Sequence, residues 1–186
     1  MEKALQNLKQ AGVHALVDMI DLDAGQLITY IRPAGCFRRK ARTLLELAAL
    51  VHENHTGVTG FLSGTETDGC RRQLLAIPGI GPETVDAILL YVGNRPTFVV
   101  DAYARRLLSR HGIAVASSSY EGFQAWVVSH LPGDLEMMKE FHAGIVETGK
   151  QYCLKRTPRC DCCPLGSLLS RARRDALMDG SGGPVP

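Results

Sequence analysis

The chain has 186 residues, which allows one large domain or two small ones. Hydrophobic residues make up 45% of it, enough for a core, and the net charge of +2 is only mildly basic. No apolar run approaches the ~20 residues that a membrane-spanning helix needs, and no charged-then-apolar leader opens the chain. We therefore expect a soluble, cytoplasmic protein. The charge is compatible with a nucleic-acid ligand but does not demand one.

Apolar residues recur at the helical period along much of the chain. Two clear stretches are Ala41, Leu44, Leu45, Ala48 and Val51, and Leu135, Met138, Phe141, Ile145 and Val146. Three residue pairs have the spacing of a capping box at a helix start: Asp23 with Gln26, Ser63 with Glu66, and Ser118 with Glu121. The only strand-like run, residues 97–100, is short and is predicted to be an extended loop. The predicted fold class is all-α.

The chain is predicted to have three parts. A helical domain covers residues 1–130 and contains a helical hairpin at about 70–92, and residues 131–169 form a C-terminal helix and a cysteine loop. From residue 170 to 186 the chain is polar and then rich in glycine and proline, which is typical of a disordered tail. Residues 2–8 look like the middle of an amphipathic helix with no capping residue before it. We therefore expect that preceding helices are missing from this chain.

The hairpin within residues 74–90 is the most informative segment. A helix is predicted to end at Pro78, a tight turn follows with Gly79 and Gly81, and a new helix starts near Pro82. We expect both glycines to take backbone angles closed to other residues and to leave amides pointing outward, where a phosphate can bind. An ordinary helix corner is the alternative, but the Pro-Gly-Ile-Gly order between two amphipathic helices favours binding of the DNA backbone.

Asp101 follows the strand-like run and is predicted to open a helix. It could be only an N-cap. A carboxylate at a helix N-terminus is also held ionised by the amides and the helix dipole. Such a group can stabilise the positive sugar of a breaking glycosidic bond or activate water to attack it, so Asp101 is the candidate catalytic residue.

The hairpin and the segment before Asp101 together resemble the helix-hairpin-helix, Gly/Pro-rich loop and aspartate of the endonuclease III superfamily of DNA glycosylases. The resemblance runs from about residue 1 to 165. It implies a monomeric enzyme that flips a damaged base out of double-stranded DNA and releases it. It also implies that the hairpin contacts DNA through Gly79, Ile80, Gly81 and Thr84.

Residues 31–41 are similar to a loop of that family which precedes a helix and supplies a wedge for the gap left by the flipped base. Cys36 and Phe37 are at the matching positions. The resemblance implies further DNA contacts for Arg38 and Lys40.

Glu83 departs from the pattern of the bifunctional family members, which carry a lysine two residues after the second glycine of the turn. That amine forms a Schiff base with the sugar, and glutamate cannot. The resemblance therefore implies a monofunctional glycosylase that uses water, with Glu83 as a second candidate catalytic residue. The Gly-Pro-Glu-Thr sequence is similar to a branch that includes 3-methyladenine glycosylases, so an alkylated base is the candidate substrate. The alternatives are a first-turn acid with no catalytic role and a bifunctional glycosylase and AP lyase.

Four of the six cysteines lie in one short stretch, which predicts metal or redox chemistry. Three have the spacing of the family's iron–sulfur loop, but the fourth family position is Leu169 here. The options are a [4Fe–4S] cluster with a fourth ligand other than cysteine, a zinc site aided by Cys162 or a histidine, or no metal. We expect a cluster, and its ligands are Cys153, Cys160 and Cys163.

Two other classes of protein remain open. A non-catalytic DNA-binding module would use the same hairpin but has no need of Asp101. A zinc-stabilised interaction protein would explain the cysteines but not the hairpin. The remaining histidines, His142 among them, are expected to be surface or core residues.

Overall fold

The computed structural model describes residues 2–53, 57–113 and 119–180. All regular secondary structure in these ranges is helical, which confirms the predicted all-α class, and residues 97–100 form no regular secondary structure. The α-helices are α1 (Glu2–Gln10), α2 (Ala24–Ile31), α3 (Phe37–Glu53), α4 (Gly57–Gly64), α5 (Thr67–Leu75), α6 (Pro82–Tyr91), α7 (Ala102–Arg110), α8 (Tyr120–His130), α9 (Leu135–Gln151) and α10 (Arg171–Met178). Short 3-10 helices cover Val17–Met19, Arg32–Ala34 and Gly166–Leu168. None of the helices in the described part of the chain is both long and apolar enough to cross a membrane.

The chain divides into two compact units, Met1–Gly93 and Asn94–Pro186. The sequence placed the first boundary at residue 130 instead. A break there would cut through one core, because Phe123 and Val127 of α8 share a buried cluster with residues of α7 and α9. The units are therefore α1–α6 and α7–α10.

Unit 1 has two apolar clusters. The first contains α5 and α6, with α3 and α4 packed on them; its buried residues are Val51, Phe61, Leu62, Cys70, Leu74, Ile77, Ile80, Val85 and Leu89. The second joins α1, α2 and α3; its buried residues are Ala4, Leu8, Val13, Met19, Leu27, Ile31, Ala41 and Ala48. Each helix contributes the apolar stripe that its 3.6-residue period predicts.

The capping predictions have different outcomes. Asp23 forms the predicted capping box with Gln26 at the start of α2. Ser63 lies inside α4 rather than at a helix start, so this prediction was wrong; Glu66 is the N-cap of α5. Ser118 lies outside the described residues, and Ser119 caps α8 by accepting a hydrogen bond from the amide of Gly122.

The predicted disordered tail is wrong for residues 171–178, which form α10. Ser170 caps this helix by accepting a hydrogen bond from the Arg173 amide at 3.3 Å. Leu177 is 4% exposed and lines a cavity that the cysteines also line. This apolar anchor, the cap and a hydrogen bond from Arg173 to the carbonyl of Arg110 at 3.4 Å hold a segment whose composition is otherwise polar. Residues 181–186 lie outside the described part of the chain.

Candidate functional site

The hairpin joins α5 and α6 through a turn that is anchored by two isoleucines. Ile77 and Ile80 are buried, and the amide of Ile80 donates to the carbonyl of Ile77 at 3.1 Å. Pro78 and Gly79 between them are exposed. The turn therefore presents its backbone outward while its apolar side chains hold it to the core of unit 1.

Gly79 is required by the geometry of this turn. Its φ of +95° lies in the left-handed region that side chains disfavour. The hydroxyl of Thr43, on α3, donates to the carbonyl of Pro78 at 2.7 Å, and a Cβ on Gly79 would overlap that hydroxyl. The close approach of α3 to the turn thus depends on the absence of a side chain at residue 79.

Gly81 does not take the backbone angles that the sequence predicted for it. Its φ of −105° and ψ of 174° are ordinary extended values, and it is the N-cap of α6. No described atom lies within 4 Å of the position that a Cβ would occupy. A side chain is therefore sterically allowed at residue 81, and it would project into open space at the start of α6.

The first turn of α6 offers amides to an anion. Amides at a helix start lack partners within the helix, and none of the described side chains caps this N-terminus. Pro82 occupies the first helical position and has no N–H, while Glu83 and Thr84 follow it and are exposed. The positive end of the helix dipole also attracts an anion, so the N-terminus of α6 can bind a phosphate.

An ion pair that the sequence analysis missed links the two hairpin helices. Arg71 of α5 pairs with Asp86 of α6, whose residue is only 1% exposed. No local sequence pattern connects Asp86 to a cation fifteen residues earlier. The pair links α6 to α5, next to the apolar cluster that the two helices share.

The loop before α3 holds the candidate wedge. Gly35 has a φ of +64° and Cys36 a φ of +46°, and both are exposed. The ammonium of Lys40 donates to the carbonyl of Ala34 at 2.6 Å, which ties the loop to its own helix. Phe37 is half-buried against the second cluster of unit 1. The structure thus leaves Cys36 as the more projecting of the two candidate wedge residues.

Arg38 on the first turn of α3 is exposed, and its side chain faces solvent. The Phe37 ring beside it lies 5.9 Å from the guanidinium of Arg32. Within unit 1, the Thr43 hydrogen bond to Pro78 connects α3 to the hairpin, so the loop, α3 and the hairpin form one connected surface.

Asp101, in unit 2, is the N-cap of α7. Its Oδ1 accepts a hydrogen bond from the amide of Ala104 at 2.7 Å. Its Oδ2 lies 3.7 Å from Nε2 of His142, a buried residue of α9. Burial raises the pKa of Asp101, but the polar contact with His142 and the Ala104 amide outweigh it, so that this pKa lies below its ordinary value. The structure therefore holds an ionised carboxylate in a largely buried position.

The cysteine loop brings three thiols to one small cavity. Cys153, Cys160 and Cys163 line it together with Leu169 and Leu177, among others. Burial, and then its neighbours Cys153 and Cys163, raise the pKa of the Cys160 thiol. Cys162, the additional donor considered for a zinc site, is exposed, and its thiol donates to the carbonyl of Arg159.

Arginines of α7 hold the start of this loop. Arg110 donates to the sulfur of Cys153 at 3.3 Å and to the carbonyl of Leu154 at 2.7 Å. Arg106 donates to the carbonyl of Cys153 at 2.7 Å. The described residues contain no group of three or more His, Cys, Asp or Glu side chains arranged to hold a metal ion. Because Leu169 is at the fourth position of the family's cysteine pattern, the loop does not supply the four thiolates of an ordinary [4Fe–4S] site.

The chain matches a known protein family over residues 1–127, described as "HhH-GPD superfamily base excision DNA repair protein". It is 40% identical over 167 residues to a protein of Methanocaldococcus jannaschii, provisionally named a DNA repair glycosylase; the match covers 89% of this chain and 75% of the relative. It is 25% identical over 150 residues to endonuclease III of Escherichia coli K12, covering 81% of this chain and 66% of that enzyme.

Two solved structures show the same fold. One is endonuclease III in a trapped covalent intermediate with DNA, with a TM-score of 0.76 and 23% identity, covering 93% of this chain and 76% of that one. The other is the 3-methyladenine DNA glycosylase MagIII of H. pylori bound to 1,N6-ethenoadenine, with a TM-score of 0.67 and 25% identity, covering 80% of this chain and 76% of that one.

Proposed function

The chain belongs to the HhH-GPD superfamily of base excision DNA repair proteins, and on that premise we propose that it releases a damaged base from double-stranded DNA with water, using Asp101 as the catalytic carboxylate. It is a DNA glycosylase of the endonuclease III superfamily by its family and fold. The proposal concerns the finer points: the reacting residue, the absence of a lyase step and the substrate.

The environment of Asp101 is the observation that carries the proposal. Its carboxylate is largely buried, yet its pKa lies below the ordinary value, because His142 and the Ala104 amide outweigh the effect of burial. A fixed negative charge at low dielectric stabilises a sugar that becomes positive as the glycosidic bond breaks. The same carboxylate can accept a proton from attacking water.

The hairpin is proposed to bind the DNA backbone. A phosphate would accept hydrogen bonds from the exposed first-turn amides of α6, at Glu83 and Thr84, beside Gly81. Gly79 and Ile80 shape the turn. Cys36 is the proposed wedge, since it is exposed at a positive φ, and Arg38 would contact a phosphate.

Glu83 supports a glycosylase without lyase activity. An imine with the sugar requires an unprotonated amine at this hairpin position, and Glu83 offers an exposed carboxylate there. Borohydride should therefore trap no protein–DNA adduct, and product strands should stay intact until alkali is added. Glu83→Lys is the matched variant, and weak trapping by it alone would support the assignment. Robust trapping by the unmodified chain would show a lyase whose amine lies elsewhere.

An alkylated purine is the proposed substrate class. The H. pylori neighbour is named a 3-methyladenine glycosylase, and this chain has the Gly-Pro-Glu-Thr hairpin that resembles the same branch. The test is base release from four matched duplexes that carry 1,N6-ethenoadenine, 3-methyladenine, an oxidised pyrimidine or a G·T mismatch, with an unmodified duplex as control. Release confined to the purine lesions supports the proposal. Binding to every duplex with release from none would favour a non-catalytic DNA-binding protein.

The three cavity-lining cysteines are proposed as ligands of an iron–sulfur cluster that lacks a fourth thiolate. Anaerobically purified protein should then contain iron and acid-labile sulfide, and Cys160→Ser should lose both. Cys162→Ser, as the matched control, should retain them because its thiol is exposed. One equivalent of zinc without sulfide would contradict the cluster and favour a zinc site.

A further inference from the structure

We infer that His142 is the positioning residue of Asp101: its imidazole, on α9, faces Oδ2 of the carboxylate whose Oδ1 accepts a hydrogen bond from the Ala104 amide. The inference rests on the catalytic role proposed for Asp101 and adds a residue that no local sequence pattern marks. A single histidine on an apolar helix face is ordinarily a core residue, and only the folded chain brings it to the carboxylate.

The two oxygens of Asp101 are divided between two helices. The Ala104 amide holds Oδ1 at 2.7 Å and belongs to the same helix as Asp101. Nε2 of His142 lies 3.7 Å from Oδ2, within ion-pair range when the imidazole is protonated. One contact alone would let the carboxylate rotate about its Cβ–Cγ bond. An ion pair at Oδ2, added to the hydrogen bond at Oδ1, would restrict the plane of the carboxylate, which a reaction at a defined sugar carbon requires.

His142 is itself held in place by an aromatic ring. The ring of Phe98 meets the imidazole edge to face, with centroids 6.1 Å apart and an interplanar angle of 84°. Phe98 is fully buried and also contacts Phe141, the residue before His142, at 5.9 Å. The His142 side chain is 10% exposed. The orientation of the imidazole is therefore set by packing, not by solvent.

The packing of α9 on α7 fixes the distance between the two groups. A Cβ on Gly149 would overlap the ring of Tyr103, so glycine lets the helices approach closely there. Arg106 of α7 donates to the carbonyl of Gly149 at 3.1 Å. These contacts set the register of α9 two turns beyond His142, so that His142 faces Asp101.

Few charged groups compete for Asp101. Among the described residues, His142 is the one titratable side chain paired with it. From α8, the Tyr120 hydroxyl accepts from the amide of Val100 at 3.2 Å. On α9, Lys139 is engaged by Asn94 and Glu136. Removal of the His142 imidazole should therefore raise the pKa of Asp101, with little compensation from other charged side chains.

The kinetic test uses three variants on the duplex that the wild-type chain processes fastest. His142→Phe keeps an aromatic ring but removes the donor, and His142→Gln keeps an N–H donor that does not titrate. His130→Gln is the control, because His130 is exposed and contacts Trp126 and Ser129 instead. Single-turnover base release should fall about tenfold or more in His142→Phe and recover to within about threefold in His142→Gln. Duplex affinity should stay unchanged, and the acid limb of the rate profile should move to higher pH in His142→Phe.

A second measurement needs no substrate. Carbon NMR of the Asp101 carboxyl, assigned by its disappearance in Asp101→Asn, should show a higher pKa in His142→Phe than in the wild-type chain. Equal pKa values, equal rates in His142→Phe and wild type, or equally slow rates in His142→Phe and His142→Gln would each overturn the inference. Failure of the proposed function would give another result, because Asp101→Asn would then release the base at the wild-type rate. The NMR comparison would still show whether His142 acts on the Asp101 carboxylate.

Discussion

Alanine at Gly79 should destabilise unit 1, whereas alanine at Gly81 should not. A side chain at φ +95° costs about 1–2 kcal/mol. The added Cβ would also displace the Thr43 hydroxyl from the Pro78 carbonyl, and a hydrogen bond of this kind contributes about 0.5–1.5 kcal/mol. The expected loss for Gly79→Ala is therefore about 2–3 kcal/mol. This is a large part of the total stability of an ordinary domain.

Gly81→Ala is the matched control, two residues away in the same turn. Its φ of −105° suits any residue, and the space around its Cβ is open. Alanine is a poorer N-cap than glycine by roughly 0.5–1 kcal/mol, but it stabilises the fold by about 0.4–1 kcal/mol because it reduces the entropy of the unfolded chain. The free energy of unfolding should therefore change by less than about 0.5 kcal/mol.

Urea denaturation followed by circular dichroism measures both variants. With a slope of about 2 kcal/mol per molar urea, Gly79→Ala should lower the midpoint by about 1–1.5 M. Gly81→Leu extends the comparison to DNA, because its side chain would stand before the α6 amides. Its duplex affinity should fall by a similar factor for every sequence, since phosphate contacts carry no base information. Equal stability of Gly79→Ala and Gly81→Ala would refute the role given to Gly79, and a sequence-selective loss in Gly81→Leu would refute phosphate binding there.

Three further predictions follow from other contacts. Arg71→Met should lower the free energy of unfolding, measured by urea denaturation, by about 3 kcal/mol, because it removes the cation beside buried Asp86. Adding Asp86→Leu should recover much of that loss. No recovery would contradict the pairing. The pKa of Asp101 is lower in the folded chain than in the unfolded one. The contribution of its carboxylate to the free energy of unfolding should therefore be complete above about pH 4. It should be lost as the pH falls through the pKa of the folded chain. The stability difference between wild type and Asp101→Asn should accordingly shrink from pH 7 to pH 3, and a constant difference would show that the carboxylate is not perturbed. Leu177→Ala should release α10, because Leu177 is the buried side chain that anchors this helix. The release should be seen as protease cleavage near residue 170. Unchanged resistance to the protease would mean that the cap at Ser170 suffices.

The sequence was informative where a single residue type determines local geometry. Pro82 at the first position of α6 and Asp101 at the N-cap of α7 were both predicted, since each residue favours one place in a helix. The capping box of Asp23 was predicted for the same reason. Such signals act over three or four residues, which is why sequence alone shows them.

Contacts between distant residues were not predictable in this way. The Arg71–Asp86 pair and the contact of Asp101 with His142 depend on how helices pack, and no local pattern marks them. The polar composition after residue 170 predicted disorder because one buried leucine has little weight in a composition. For Gly81, the sequence shows a glycine but does not show whether the backbone angles at this residue require one.

Single-turnover base release by Asp101→Asn tests the central claim most directly. Asparagine caps helices about as well as aspartate and should keep the hydrogen bond from the Ala104 amide, so the fold and duplex binding should persist. Only the negative charge is lost. The assay uses excess protein on a 1,N6-ethenoadenine or other processed duplex, with melting temperature and duplex affinity measured on the same samples. Base release should fall by about a hundredfold or more at unchanged affinity. Release at the wild-type rate would contradict the account and leave Asp101 as a helix cap alone.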